Sequence, residues 1–358
     1  MLTSHGVKSL AEELGFGACG IVRIDRQKPG LPFDEDREAL DRWVAQGRHG
    51  TMQYLEDFES RAKRFWEDFP EAKSVIVLGV NYYSGTDSPS PLWGEGGGEG
   101  QNAANHPHPN PLPQGGRGEG PRGRVARYAW GRDYHRVIGK RLEEFRDRLN
   151  SSAGRGIRAE ICVDTKPLLE RPLAQRAGLG FIGKQSQLLS PQFGPWLFLA
   201  ELVTDLELEP DLPYLGSCGQ CTICIDECPT QAIRPEGGID ARRCIAYLTI
   251  EHKGEIAEEF KPLMGDRVFG CDICLQVCPY ASKGKETHWT ELKAESGFGP
   301  ELDLVKLLNV SSNRIYEKRF EGTALMRANR RQMVRNARIV LRNLESHENR
   351  AGHTQRRG

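Results

Sequence analysis

Apolar and polar residues follow two different periods along the first part of the chain. Residues 73–80 (KSVIVLGV) are almost continuously apolar, the pattern of a strand buried on both faces. Elsewhere apolar residues recur every three to four positions, as on the buried side of an amphipathic helix. The patterns predict helices at 7–14, 37–54, 134–149 and 168–177, and strands at 18–23, 73–80, 157–163, 187–190 and 196–204, the last two paired with each other. This order indicates an α/β domain over residues 1–210.

Residues 84–123 interrupt both periods. The segment holds eleven glycines and seven prolines among its forty residues. Such a composition buries too little apolar surface to offset the entropy lost on ordering. We expect a disordered insertion between two elements of one domain.

Helical periodicity returns near the end of the chain. Short helices are predicted at 302–308, 311–320 and 331–344. A succession of short helices is typical of an α-helical repeat, so residues 291–345 are predicted to form a short HEAT-like region. Residues 346–358 are polar and are expected to be a disordered tail.

Composition and charge indicate the cellular compartment of the protein and show that its C-terminal segment is basic. The formal net charge is zero, with 49 basic and 49 acidic residues, so whole-chain charge indicates no partner. From residue 324 onward, however, the sequence contains nine arginines and only two acidic residues, Glu345 and Glu348. The N-terminal sequence MLTSHGVKSLAEELG has no apolar core and no twin arginine, and no apolar run reaches membrane-spanning length. We therefore expect a cytoplasmic protein with no membrane contact.

Eight of the ten cysteines fall within residues 218–278, in two runs that end in Cys-Pro. Residues 218–229 (CGQCTICIDECP) match the C-x2-C-x2-C-x3-C-P run of bacterial ferredoxins. Residues 271–279 (CDICLQVCP) lack one cysteine of the usual four, which Cys244 supplies. In two-cluster ferredoxins the fourth cysteine of each run ligates the other cluster. This rule assigns Cys218, Cys221, Cys224 and Cys278 to one [4Fe–4S] cluster and Cys228, Cys244, Cys271 and Cys274 to the other.

The predicted clusters define a ferredoxin-like domain over residues 211–290 and an α+β or α/β architecture overall. Structural zinc and disulfides are the alternatives for the cysteines. All-cysteine zinc sites use separated C-x2-C pairs and give no role to the prolines. Disulfides need an oxidising compartment, and a C-x2-C-x2-C run is awkward to bridge pairwise.

The domain upstream of the cysteines indicates a second cofactor, because clusters that relay electrons usually serve a reaction elsewhere. A corrinoid is one candidate. Residues 133–139 (DYHRVIG) approach the D-x-H-x-x-G signature that places a histidine below cobalt, but Ile138 stands where glycine is required. His135 is therefore predicted to be a first-turn helix residue. A cobalamin without a protein ligand to cobalt stays open.

Three longer motifs carry a family resemblance. They are residues 127–135 (RYAWGRDYH), 162–184 (CVDTKPLLERPLAQRAGLGFIGK) and 244–253 (CIAYLTIEHK). With the two cysteine runs they closely resemble epoxyqueuosine reductases, over about residues 5–345 except the insertion. The resemblance implies a cytoplasmic, cobalamin-dependent enzyme with two [4Fe–4S] clusters. It also implies the reaction, in which cob(I)alamin fed by the clusters reduces epoxyqueuosine at the tRNA wobble position to queuosine.

Asp164 is the candidate proton donor. It follows the predicted strand at 157–163, where a carboxyl group would face a cleft and have its pKa raised by partial burial. Expelling the epoxide oxygen without an acid is costly, and the resemblance assigns that role to this aspartate. The alternative is that Asp164 or Thr165 caps the helix at 168–177. Residue type alone favours the cap, whereas the family match favours catalysis.

The resemblance also implies binding residues. The sequence that follows Arg61 (RAKRFWEDFPEAKSV, residues 61–75) departs from the R-x-D-P pattern usual in the family. The implied cobalamin contacts are Arg61, Ala129, Asp164, Gln185, Leu188 and Ala246.

The implied tRNA substrate is a polyanion, which needs clustered cations. The candidates are Arg335 and Arg338 in the arginine-rich C-terminal helices, with His252 and Lys253 nearer the cysteines. The alternative for such helices is a solvated charged face. We also expect a monomer that receives electrons from an external donor such as a flavodoxin or a ferredoxin.

Two other functional classes remain. A corrinoid reductive dehalogenase shares the plan of one corrinoid and two clusters, but typically carries a twin-arginine leader and has no use for a basic tail. A ferredoxin-type electron carrier would need neither the motif at 162–184 nor the tail.

Overall fold

The computed structural model describes residues 2–25, 33–85 and 120–355. Most of the predicted insertion, residues 86–119, lies outside the described residues. Its edges lie inside them. Ser84 is buried, and Arg122 and Gly123 belong to a β-strand.

Helices and strands follow one another in nearly the predicted order up to the cysteine region. The helices are α1 (Ser4–Glu13), α2 (Asp34–Ala45), α3 (Phe58–Asp68), α4 (Tyr134–Ala153), α5 (Glu170–Arg176), α6 (Ile223–Asp226), α7 (Ile245–Ile250), α8 (Ile273–Gln276), α9 (Leu304–Leu308), α10 (Asn313–Phe320) and α11 (Arg330–Gln355). The strands are β1 (Ala18–Arg23), β2 (Ser74–Asn81), β3 (Arg122–Val125), β4 (Ala159–Cys162), β5 (Phe181–Ile182), β6 (Leu188–Leu189), β7 (Leu197–Thr204), β8 (Arg267–Phe269) and β9 (Glu301–Asp303).

Four strands in the order β1-β2-β7-β4 form the main sheet. All eight residues of β2 are buried, as its continuous apolar run predicts. Phe145 and Leu142 of α4 pack on one face, and Trp66 of α3 and Leu173 of α5 pack on the other. Each strand pairing in this sheet is antiparallel, so the domain is a mixed α+β fold and not a parallel α/β fold.

The predicted pairing of residues 187–190 with 196–204 is wrong. β6 pairs with β5, whereas β7 pairs with β2 and β4. A tight turn joins β5 to β6, with Gly183 N–H donating to Gln187 O at 2.9 Å and Ser186 in the left-handed region at φ 62°. Because of this turn, β6 pairs with β5, the strand that precedes it in the chain.

A second sheet, β8-β3-β9, joins one strand from the middle of the sequence to two strands from its last third. β3 pairs parallel with β8 and antiparallel with β9. Helices α9, α10 and α11 share one apolar core with these strands, which includes Phe269, Leu304, Phe320 and Met333. The C-terminal helices thus pack around strands, and the predicted HEAT-like repeat is not what the described C-terminal residues form.

Helix α11 is also longer than predicted. It continues to Gln355, past the expected end at residue 344. None of the helices within the described ranges is long and apolar enough to cross a bilayer.

Candidate functional site

The first four predicted cluster ligands lie together. We call Cys218, Cys221, Cys224 and Cys278 the first thiol set. Burial raises the pKa of Cys224 to about 11, and the charges of the other three thiols add to the effect. Burial likewise raises the pKa of Cys278 to about 11. Cys221 is exposed, so this set reaches the protein surface.

The remaining four lie together deeper in the protein. We call Cys228, Cys244, Cys271 and Cys274 the second thiol set. Burial holds the pKa of Cys274 well above its ordinary value, and the charges of the other three members raise it further. Cys244 joins this set although it lies outside both runs, at the start of α7.

The chemistry of both sets fits iron–sulfur clusters. All ten cysteines of the chain are free thiols. Four thiolates in one place repel one another and lose hydration on burial, so they need a compensating cation. The irons of a [4Fe–4S] cluster are bound by four thiolates and would supply that charge.

Asp164 lies two residues past the end of β4, with an unusual backbone. Its φ is 53°, in the left-handed region that few non-glycine residues adopt. Its N–H donates to Glu170 Oε1 at 2.8 Å, and its Oδ2 accepts from the Tyr134 hydroxyl at 2.8 Å. The side chain is 63% exposed, whereas partial burial was predicted. Protein atoms alone therefore do not bury this carboxyl group.

Helix capping does not account for Asp164. The residue before α5 is Leu169, and α5 begins at Glu170. Asp164 and Thr165 therefore precede the N-cap position by several residues. Asp164 is instead tied to the side chain of Glu170 through its own N–H, and its carboxyl group points to Tyr134.

The N-terminus of α4 forms one wall beside Asp164. Asp133 caps this helix, because its side chain accepts from His135 N–H at 3.1 Å. His135 lies in the first turn, as predicted, and its Nε2 is 3.8 Å from Asp164 Oδ2. A hydrogen bond with Asp133 raises the pKa of His135, and the charges of Asp133 and Asp164 act in the same direction. The Tyr134 ring stacks on Phe198 at 4.3 Å, which fixes the direction of its hydroxyl.

Residues distant in sequence also lie near Asp164. Arg327 Nε donates to Glu251 Oε1 at 2.7 Å, and its guanidinium lies 5.7 Å from the centre of the Tyr54 ring. The hydrogen bond to Glu251 raises the pKa of Arg327, and the charges of Tyr54 and Asp164 contribute as well. The sequence did not indicate a role at the site for any of the three, although Glu251 lies in the motif at 244–253.

Two further carboxyl groups lie behind Asp164. Glu170 keeps part of its side chain at the surface, but its carboxyl group is surrounded by protein. Burial, and then the charge of Asp164, raise the pKa of Glu170 to about 7. Glu201 of β7 is completely buried. Burial and then the charges of Glu170 and Asp164 hold its pKa well above the ordinary value.

The expected cobalamin contacts lie on several different elements of the chain. Arg61 on α3 donates to the Tyr54 carbonyl at 3.4 Å. Gln185 is 1% exposed, and its amide N and O have no hydrogen-bond partner in the part of the chain that the structure describes. A buried amide of this kind fits a polar ligand such as a corrinoid side chain. The other expected contacts are Ala129, which is fully buried, Leu188 in β6, and Ala246, which is partly buried in α7.

The four expected tRNA-binding residues divide into two groups. Lys253 and Arg338 are exposed and His252 is partly exposed, whereas Arg335 is buried. The Arg335 guanidinium donates to the carbonyls of Leu248, His252 and Gly254. This placement argues against a direct phosphate contact by Arg335, which instead shapes the loop that carries His252 and Lys253.

Two protein families match parts of the chain. Residues 64–165 match the family described as "Epoxyqueuosine reductase QueG, DUF1730". Residues 217–281 match "4Fe-4S double cluster binding domain", so the chain contains such a domain and the eight clustered cysteines are not explained by zinc or disulfides. An epoxyqueuosine reductase from Xanthomonas campestris pv. campestris is 36% identical over 345 residues, which cover 96% of this chain and 87% of that protein.

Solved structures of epoxyqueuosine reductases superpose on most of the chain. One is an epoxyqueuosine reductase with a tRNA-Tyr epoxyqueuosine-modified stem loop, at a TM-score of 0.74 and 30% identity, covering 94% of this chain and 80% of that one. Another, from Bacillus subtilis, has its catalytic aspartate loop swung out of the active site. It has a TM-score of 0.74 and 29% identity, with the same coverage of 94% and 80%.

Proposed function

The chain belongs to the epoxyqueuosine reductase family, whose members are oxidoreductases, and we propose that it reduces epoxyqueuosine at the wobble position of tRNA with Asp164 as the proton donor. The observation that carries this assignment of roles is the environment of Asp164. An exposed carboxyl group, held by the Tyr134 hydroxyl at 2.8 Å, lies on a chain that also contains a double-cluster domain.

The reaction needs protons as well as electrons. Removing an epoxide oxygen as water to leave an alkene consumes two electrons and two protons. An oxygen that leaves without a proton leaves as a high-energy anion, so a positioned acid accelerates the step by two to four orders of magnitude, roughly. The Asp164 side chain is exposed and so accessible to a substrate, and the hydrogen bond from Tyr134 fixes the direction of its carboxyl group.

Cobalamin and the clusters supply the electrons in this proposal. When bound, cobalamin provides a strongly reducing cobalt centre, and the two [4Fe–4S] clusters deliver electrons one at a time. The residues that would hold cobalamin are Arg61, Ala129, Gln185, Leu188 and Ala246. Among them, the unpartnered amide of Gln185 most favours a bound ligand.

The protein would work in the cytoplasm as a monomer, with a flavodoxin or a ferredoxin as electron donor. Cys221 is the exposed member of the first thiol set, which favours electron entry at that cluster. The tRNA would meet Lys253 and Arg338, the expected contacts that are exposed.

A reconstitution assay tests the proposed function. The protein is loaded anaerobically with iron, sulfide and cobalamin, reduced chemically, and mixed with tRNA that carries epoxyqueuosine. We expect nucleoside mass spectrometry to show loss of one oxygen, and no loss when cobalamin is omitted. Halogenated phenols serve as the competing substrate. Dehalogenation without conversion of the tRNA would reject the proposal in favour of the dehalogenase class.

A further inference from the structure

Glu201 is a buried acid that neither the fold nor the proposed chemistry accounts for. It lies in the middle of β7, opposite Val77 of β2 and Cys162 of β4, and is completely buried. Neither carboxyl oxygen has a hydrogen-bond partner among the described residues. An ionised carboxylate in such surroundings is strongly disfavoured, so Glu201 is held in its neutral, protonated form.

Glu170 links this buried acid to the catalytic loop. Its Oε1 accepts the hydrogen bond from Asp164 N–H at 2.8 Å. It also lies within hydrogen-bonding reach of Glu201, and its charge adds to the effect of burial in raising the pKa of that group. No donor in the described part of the chain reaches the Glu201 oxygens, so a hydrogen bond between the two carboxyl groups requires the proton to be on Glu201. Glu170 is therefore the intermediate between a buried acid and the backbone of Asp164.

We propose that Glu201 and Glu170 share one proton and together position the Asp164 loop. Neutral Glu201 directs its O–H to the Glu170 carboxylate, and that carboxylate holds the N–H of Asp164. The pair carries one proton and one negative charge throughout, and it transfers neither to the substrate. Glu170 and Glu201 are positioning residues, and their role rests on the proposed function of Asp164.

The backbone of Asp164 explains why such a support is needed. A non-glycine residue at φ 53° is in a sparsely populated conformation, which persists only where surrounding contacts hold it. In the Bacillus subtilis relative the corresponding catalytic loop is swung out of the active site. A loop with two positions needs an interaction that favours the inward one. The bond from Asp164 N–H to Glu170 is that interaction here.

The cost of the arrangement favours a functional role over a packing role. An apolar side chain in place of Glu201 would face Val77 and Cys162 without losing hydration, and would stabilise the sheet. Residues that lower stability at a catalytic site are typical of a stability–activity trade-off. A packing role predicts that replacing Glu201 changes stability alone, whereas the positioning role predicts a change in the loop.

Hydrogen exchange of the Asp164 amide tests the proposal on the cluster- and cobalamin-loaded protein. Glu170→Ala removes the acceptor, and exchange should rise about tenfold, as expected for loss of one hydrogen bond. Glu201→Leu should raise it several-fold, because Glu170 loses its supporting donor. Glu201→Gln keeps an N–H donor and should restore exchange to near the wild-type rate. Glu207→Gln, an exposed carboxylate that pairs with Lys73 after the same strand, is the matched control.

The same variants should separate turnover from binding. We expect Glu201→Leu to lower kcat about tenfold with an unchanged KM for tRNA, and Glu201→Gln to recover most of kcat. Wild-type exchange in both Glu170→Ala and Glu201→Leu would overturn the proposal. If Glu201→Leu fails to fold, Glu170→Ala alone decides, and unchanged exchange there refutes it. Altered exchange in a protein that does not convert epoxyqueuosine would leave the positioning role standing and reject the proposed function instead.

Discussion

Asp164 combines an exposed carboxyl group with a backbone held in place by two partners. The Tyr134 hydroxyl fixes the carboxyl group, and the Glu170 side chain fixes the N–H. A proton donor must face the substrate and still keep a defined direction, and these contacts meet both needs. The strained φ of 53° indicates that the conformation is retained for its position, since an extended loop would relieve it.

Replacing Asp164 by asparagine removes the transferable proton and keeps the size of the side chain. We expect turnover to fall by roughly two orders of magnitude or more, the usual contribution of a positioned acid. Iron and cobalamin content should match the wild type, because neither depends on this carboxyl group. Single-turnover kinetics on epoxyqueuosine tRNA measures the effect. Near wild-type turnover would show that another group supplies the proton.

The buried carboxyl pair makes stability depend on pH. Glu170 has a pKa of about 7 in the folded protein and 4.5 as its ordinary value, and Glu201 is shifted in the same direction. The folded protein therefore binds these protons more tightly than the unfolded chain. Their stabilising contribution is complete below the ordinary value and is lost as the pH rises through the folded value.

Glu201→Leu should remove part of this dependence. We expect the variant to melt at a higher temperature than the wild type, with a gap that widens between about pH 5 and pH 8. Calorimetry at several pH values measures the gap, and Glu207→Gln serves as the control. A gap that narrows with rising pH would mean that Glu201 is already ionised in the folded protein.

At the scale of single residues, the motifs contained Asp164, the cluster cysteines, Tyr134 and Glu170, but they did not include Glu201 or Arg327 and did not show which residues support Asp164. Glu201 lies in the apolar run LFLAELVT, where a periodic pattern does not show which face is buried. Tyr134 and Arg327 approach Asp164 only through the tertiary fold. Local sequence carries no information on such contacts, because they join elements far apart in the chain.

Among the elements, α11 carries arginines of two kinds, some exposed to solvent and one buried in the protein. Arg331, Arg338 and Arg342 are exposed, and their spacing places them on one face of the helix. Arg335 falls on the same face by its spacing, but it is buried and its guanidinium donates to three carbonyl groups of residues 248–254. Neither the number nor the spacing of the arginines in the sequence shows which of them is covered.

Charge reversal on the exposed face should weaken tRNA binding. For the double variant Arg338→Glu and Arg342→Glu we expect lower affinity for tRNA. The slope of log affinity against log salt concentration should also become shallower by about one to two, because one to two phosphate contacts are lost. Arg146→Glu, at a partly exposed arginine of α4, is the control and should keep wild-type affinity. Filter binding at several salt concentrations gives the slopes. Equal slopes for all three proteins would exclude this face of α11 as an RNA contact.

Element boundaries differed from prediction where glycine conformation decided them. The predicted helix at 37–54 ends at Ala45, because Gly47 and Gly50 take positive φ values of 63° and 65°. Any side chain at Gly50 would collide with Tyr247, so this turn is set by a distant residue. Apolar periodicity continued past the turn and concealed it.

For the molecule as a whole, the second thiol set depends on a cysteine outside both runs. Cys244→Ala should lower iron from about eight to about four per chain, because one cluster loses a ligand. Cys19→Ala, a cysteine outside both sets, should keep full iron content. Iron analysis and EPR of the reduced protein measure the difference. Full iron with unchanged spectra in Cys244→Ala would refute the ligand assignment.

Removing residues 88–119 tests the predicted insertion. These residues are rich in glycine and proline and are expected to contribute little to any core. The shortened protein should keep its melting temperature within a few degrees, roughly, together with its cobalamin content. Loss of cobalamin in an otherwise folded protein would show that the segment covers the cofactor.

The three-stranded sheet imposes an order of events during synthesis. β3 is made first, whereas its partner β8 follows the first cysteine run and its partner β9 follows the second. Until then β3 presents two unpaired edges. We therefore expect the second sheet to close after translation has passed residue 303, when all eight cluster cysteines have already been made. A nascent chain stalled before β9 should bind chaperones, and one released after α11 should not.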